Sequence, residues 1–173
     1  MKKGTRLYIA YGSNLNLAQM AHRCPTAKVV GKGKLKDYEL LFRGGRRGAV
    51  ATVEPKEGSA VPVLLWEIRK KDEESLDLYE GYPHFYDKQT LEVESNGKKV
   101  SAMAYIMTPG HVFGVPSGYY VSTIEQGYEE AGFDTQVLAD AIEQAYEKAD
   151  QQREQERLSQ GNLFGLGGYE GLK

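Results

Sequence analysis

Short β-like runs crowd the first two thirds of this chain, and long helical runs occupy the last third. Long β-α-β alternation is absent, which argues against a doubly wound parallel sheet. The pattern predicts an α+β domain, a strongly curved sheet or small mixed β-barrel with flanking α-helices. The β-like runs are Tyr8–Tyr11, Ala27–Val30, Tyr38–Phe42, Ala49–Val53 and Val61–Ile68, the last carrying the single Trp66. Lys88–Val93 and Val100–Met107 read as a strand pair joined by the hairpin signal Ser95-Asn96-Gly97. Lys70–Tyr79 reads as a helix, with Asp72 as its cap, Leu76 and Tyr79 on one face, and Gly81 and Pro83 as stop signals. Two helices close the fold. One spans about Ser117 to Ala131 and ends at Gly132. The other starts at a capping Asp134 and runs past Asp150, with Val137, Leu138, Ala141, Ile142, Ala145 and Tyr146 as its apolar stripe. Residues 1–150 therefore form the expected domain, and residues 151–173 a tail. The tail's polar and glycine-rich composition suits flexibility. Its scattered Leu163, Phe164, Leu166 and Tyr169 suit a groove on the domain or on a second subunit.

A length of 173 residues is enough for one domain with a sizeable core. The net charge of −2 leaves no basic surface for nucleic acid or anionic lipid. No apolar run is long enough to span a bilayer and no signal-peptide core is present, so a cytoplasmic location is expected. Cys24 is the single cysteine, which excludes an intrachain disulfide and a thiolate metal cluster. His22, His84 and His111 do not have metal-site spacing, so neither a metal nor another cofactor is expected. Twelve tyrosines against five phenylalanines point to pockets whose aromatic walls also need hydroxyls.

The stretch Tyr8-Ile9-Ala10-Tyr11-Gly12-Ser13-Asn14-Leu15 reads as a strand that breaks at Gly12 and enters a helix, in which Leu17, Met20 and Ala21 recur before Pro25. Such a joint leaves backbone N–H groups without intrahelical partners, suited to a carboxylate or a developing oxyanion. The plainer reading is a helix start capped by Asn14 or Asn16.

A second constellation is Leu76-Asp77-Leu78-Tyr79-Glu80-Gly81-Tyr82-Pro83-His84-Phe85-Tyr86. Glu80 falls at a helix end among Tyr79, Tyr82, Phe85 and Tyr86. The negative end of the helix dipole and aromatic desolvation both disfavour its charged form, raising its pKa toward the range of proton transfer. The plainer reading is a solvated glutamate before a turn. His84 is a rival acid/base. Asp77 lies on roughly the same helical face as Glu80 and either orients a partner or solvates the helix. Cys24 lacks a local base, and Ser13 lacks the GxSxG setting of a nucleophile. Lys32, Lys34 and Lys36 fit a solvated strand face better than a phosphate cradle.

Taken together, Tyr8 to Leu15, Leu76-Asp77-x-x-Glu80-Gly81 and Pro116-Ser117-x-x-Tyr120 resemble the γ-glutamylcyclotransferase family, in order, from about Arg6 to about Ala145. The resemblance implies a small β-barrel with an active-site cavity at its mouth. It implies a reaction in which a γ-glutamyl amide is cut by its own α-amino group, giving 5-oxoproline and a free amine. Glu80 matches the family's catalytic glutamate. Tyr8, Ile9, Ala10, Tyr11, Gly12, Ser13 and Asn14 match the segment that holds the γ-glutamyl unit, and Tyr120 matches a tyrosine that contacts substrate. The substrate supplies the nucleophile, so no catalytic serine, cysteine or metal is required. The Gly12–Asn14 amides suit either the oxyanion or the substrate α-carboxylate. The leaving amine is open among a dipeptide, a γ-glutamyl-lysine, a polyamine and a modified natural product. The expected partner is a small-molecule γ-glutamyl substrate, with a homodimer as an option. A non-catalytic binder with the same fold, and an unrelated amidase using His84 and Cys24, are the competing readings.

Overall fold

The computed structural model describes residues 4–165, with side chains as far as residue 161. Among these, five strands close into a barrel in the order β1-β3-β2-β4-β5. β1 is Thr5–Ala10, β2 Lys28–Arg43, β3 Val50–Arg69, β4 Tyr86–Ser95 and β5 Lys98–Met107. All neighbours pair antiparallel except β5 and β1, which meet in parallel at Tyr8 and Met103. Four α-helices accompany the barrel: α1 (Leu17–Arg23), α2 (Lys70–Glu80), α3 (Gly118–Ala131) and α4 (Gln136–Gly165). None is long and apolar enough to cross a membrane.

Two pairs of expected strands are each one long strand. Ala27–Val30 and Tyr38–Phe42 lie in β2, and Ala49–Val53 and Val61–Ile68 in β3. The basic glycine-rich stretch between the first two does not break the ladder. Gly31 to Lys36 pair with residues 65 to 60 across the hairpin, and Lys34 also pairs with Glu94 to join β2 to β4. The bend needed for closure comes from register shifts at Val29/Gly31 and Lys36/Tyr38, beside Asp37 at φ 60°. Ile9, Leu35, Val53, Val61, Val63, Ile68, Val93 and Ala104 fill the core with almost no exposure.

The opening joint is a 3₁₀ turn at Ser13–Leu15 followed by α1. Asn16 is the cap: its Oδ1 accepts from Gln19 N at 3.0 Å. Its Nδ2 donates to Thr123 O and Gln126 Oε1 of α3, so the cap also ties the turn to that helix. In α2, Asp72 is not the cap but the third helical residue, and its carboxylate accepts from Arg69 N at 2.9 Å. Gly81 ends the helix in the left-handed conformation. Leu76 is buried, whereas Tyr79 leaves the core and stays about half exposed.

In α4, Leu138, Ala141, Ala145 and Ala149 pack inward with Val137 and Ile142 at the margin. Tyr146 does not belong to the stripe and is exposed. The helix runs through residue 150 and on to Gly165, across the expected start of the tail. The side chains of Leu163 and Phe164, and all of Leu166 and Tyr169, lie outside the described residues.

α3 packs directly on the 3₁₀ turn, and Gly127 permits it. A Cβ there would meet Leu15 Cβ at 2.7 Å and backbone atoms of Leu15 and Asn16 within 2.9 Å. Backbone cannot swing aside as a flexible side chain does. Gly127→Ala should therefore lower stability by about 1–3 kcal/mol in denaturant unfolding and displace the turn beside it.

Candidate active site

Tyr8, Tyr11, Gly12, Ser13 and Asn14 come together with Glu80 and Tyr120 around one cavity of about 200 Å³. Ile9 and Ala10 do not line it. Ile9 projects from the face of β1 opposite Tyr8, and Ala10 has only a methyl group; both are buried in the barrel wall. Six of the twelve tyrosines form much of the lining: Tyr8, Tyr11, Tyr79, Tyr86, Tyr105 and Tyr120. Val50, Ala51 and Phe85 complete it.

Glu80 is the last residue of α2 and partly buried. Asn14 Nδ2 donates to its Oε1 at 3.0 Å and to Tyr8 Oη at 2.9 Å. Desolvation by burial raises the Glu80 pKa to about 7, against the opposing pull of Arg23 and the Asn14 hydrogen bond. Of the two causes expected from sequence, desolvation is the one that dominates. Burial also pushes the phenols of Tyr8, Tyr11, Tyr86, Tyr105 and Tyr120 up, so they stay protonated and serve as neutral hydrogen-bonding groups.

The hydroxyls also hold the wall together. Tyr86 Oη donates to Ala51 O at 2.6 Å, and Ala51 N donates to Tyr120 Oη at 3.1 Å. Tyr11 Oη donates to Tyr105 O at 2.5 Å. Tyr105 Oη donates to Asp77 Oδ1 at 2.5 Å, and Lys88 pairs with Asp77 and Glu73, so Asp77 orients a cavity tyrosine from outside. Ser13 Oγ lies 3.1 Å from Tyr79 Oη, a hydrogen bond across the cavity's edge.

The amides of Gly12, Ser13 and Asn14 take no hydrogen bond among the described residues, because the first bonds of the turn run from Leu15 N and Asn16 N. The three residues line the cavity, so their amides are candidate donors to an anion there. Gly12 has φ −120°, so a left-handed backbone does not explain it. Close approach does: a Cβ would stand 3.1 Å from Ala51 Cβ and 3.4 Å from Tyr120 Oη.

The rivals lie elsewhere. Tyr82 and His84 are exposed and do not line the cavity. Cys24 is buried, its thiol pushed up to about 11 by desolvation, and it too is outside the lining. The amidase reading therefore has no assembled site. No group of three or more His, Cys, Asp or Glu side chains placed to hold a metal exists among the described residues. Sequence reasoning missed Arg23, whose Nη1 donates to Asn14 Oδ1 at 2.8 Å. Its only local signal is a cation in the last turn of a helix. Ala51 and Tyr105 carried no signal apart from residue type, whereas Tyr86 belongs to the aromatic cluster expected around Glu80 and lines the cavity with it.

A folded pKa raised from 4.5 to about 7 means that ionising Glu80 costs nothing below its unfolded pKa, destabilises increasingly as pH rises from about 4.5 to about 7, and costs a constant amount above that. Glu80→Gln should thus gain stability over the parent between about pH 5 and about pH 8, by up to ~3 kcal/mol in paired unfolding titrations.

Residues 8–122 match the family model described as γ-glutamyl cyclotransferase, AIG2-like. The human γ-glutamylcyclotransferase is 30% identical over 135 residues, 73% of this chain and 71% of the relative. The mouse γ-glutamylcyclotransferase is 31% identical over 137 residues, 74% and 72% of the two chains. A solved structure of a γ-glutamyl cyclotransferase superposes with a TM-score of 0.72 at 27% identity, over 79% of this chain and 86% of that one. The family model spans most of the chain and the fold agrees with the solved structure, and the chain belongs to the AIG2-like γ-glutamyl cyclotransferase family.

Proposed function

We propose that this chain converts a γ-glutamyl amide to 5-oxoproline and a free amine, with Glu80 as the general acid/base. The observation that carries this reading is Glu80 itself: a carboxyl with a pKa of about 7, held through one oxygen, in a cavity also lined by Gly12, Ser13 and Asn14.

The reaction needs three things. The glutamyl chain must fold so that its α-nitrogen meets its γ-carbonyl, which a small cavity promotes by restricting extended conformers. The α-ammonium must lose a proton, and ionised Glu80 takes it. The nitrogen then attacks the γ-carbon, and negative charge develops on the former carbonyl oxygen. The C–N bond to the leaving amine breaks as protonated Glu80 returns a proton to that nitrogen, and the ring nitrogen gives up its second, ammonium proton to the released amine, which departs as an ammonium ion. A group with a pKa near neutrality serves both transfers. The Gly12–Asn14 amides act on an anion, either the oxyanion or the substrate α-carboxylate; an oxyanion donor contributes about 3 kcal/mol. Tyr8, Tyr11 and Tyr120 contact the γ-glutamyl unit.

A panel of γ-glutamyl amides, covering dipeptides, γ-glutamyl-lysine and γ-glutamyl polyamines, assayed for 5-oxoproline, tests the activity. With an active member, kcat/KM should rise with pH through a midpoint near 7, since the ionised carboxyl is the starting base. Glu80→Gln should abolish turnover while ligand affinity stays within about tenfold. Substantial residual turnover would remove Glu80 as the base. Gly12→Ala should lower activity more than stability, because the added methyl presses on Ala51 and Tyr120 at the cavity wall; equal activity would make the turn a helix start only.

A further inference from the structure

Arg23 closes α1, where a cation has an ordinary role in facing the negative end of the helix dipole. Its engagements point to a more specific one. Nη1 donates to Asn14 Oδ1 at 2.8 Å, Nη2 donates to Gln19 Oε1 at 2.7 Å, and the guanidinium lies 3.7 Å from the centre of the Tyr79 ring. Gln19 and Tyr79 thus fix the plane of the group, and Asn14 receives an Nη1 donor.

An asparagine amide has two ends of similar shape and opposite hydrogen-bonding character. Arginine has donors only, so it accepts one orientation of Asn14: Oδ1 toward Arg23 and Nδ2 toward Tyr8 and Glu80. A flipped amide would set an oxygen against Glu80 Oε1, acceptor on acceptor. Among the described residues Glu80 makes no hydrogen bond besides this one, which leaves Oε2 without a partner.

We propose that Arg23 is the positioning residue of the acid/base, locking the Asn14 amide so that it holds Oε1 of Glu80 and leaves Oε2 to exchange protons with the substrate. This rests on Glu80 being the base. The other groups around Glu80 are the phenols of Tyr8 from β1, Tyr11 just after it, Tyr79 from α2, Tyr86 from β4, Tyr105 from β5 and Tyr120 from α3. Asp77, on Glu80's own helix, is tied to Lys88 and Tyr105. Arg23 is the cation whose charge acts on the carboxyl. It stabilises the ionised form both directly and through Asn14.

The test is the titration of the Glu80 carboxyl carbon by ¹³C NMR in the full-length protein without ligand. Arg23→Gln should raise the midpoint by about one pH unit or more. Asn14→Ala should raise it as well, and the double variant should rise by less than the sum, because one residue acts through the other. Arg23→Lys keeps the charge without the planar fork and should recover less than half of the shift. An unchanged midpoint in folded Arg23→Gln, additive shifts, or full recovery by lysine overturns the proposal. If Arg23→Gln does not fold, Arg23→Lys decides alone, and a parental midpoint overturns it. The pH profile of 5-oxoproline release from γ-glutamyl-alanine should move in parallel. A moved NMR midpoint with an unmoved kinetic profile, or a Glu80→Gln protein that still turns over, removes Glu80 as the base while the titration result stands on its own.

Discussion

A carboxylate among aromatic rings loses most of its hydration, and it stays usable only where something else supports its charge. At Glu80 that support is one amide donor from Asn14 and one cation, Arg23. The surrounding architecture serves to deliver these three groups to one place. α2 ends at Glu80, the 3₁₀ turn supplies Asn14, and α1 ends at Arg23. The turn is held by Asn16 hydrogen bonds to α3 and by the close approach at Gly127. A carboxylate so supported stays near the midpoint of its titration at neutral pH, which suits a group that must take and return a proton.

The same wall solves a second problem, the edge of a long strand. β1 pairs with β3 from Arg69 to Leu64 and then ends at Ala10. Farther along β3, the N–H and C=O of Ala51 need other partners, since unpaired buried backbone groups are costly. Tyr120 and Tyr86 provide them. Their hydroxyls therefore do structural work at the edge of the sheet and also present polar groups to the cavity. Burial keeps both phenols protonated, so they remain neutral hydrogen-bonding groups beside Glu80.

Local patterning made much of this legible. The β-hairpin at Ser95-Asn96-Gly97, the glycine stop of α2, the two closing helices and the strand-to-turn joint at Gly12 all follow from turn and capping chemistry. The misplacements share a cause as well. β2 and β3 read as pairs of short strands because glycines, prolines and charges interrupt their apolar runs, whereas the ladder tolerates them through bulges and partner strands. Asp72 read as a cap because a capping residue and a third-position acceptor have the same composition. Tyr146 fits the helical period, yet the face it occupies is not the one that α4 turns to the barrel.

By itself the sequence carried the barrel-and-helices class and the family, and it singled out Glu80 and Gly12–Asn14 by their local chemistry and Tyr120 by the family resemblance as candidates that the structure brings around one cavity. The tertiary structure alone decided which groups surround them. Arg23, Ala51 and Tyr105 reach the site or its partners from three different elements. Their chemistry depends on distance and orientation across the closed barrel: a few ångströms separate a hydrogen bond from none, and sequence spacing carries no such measure.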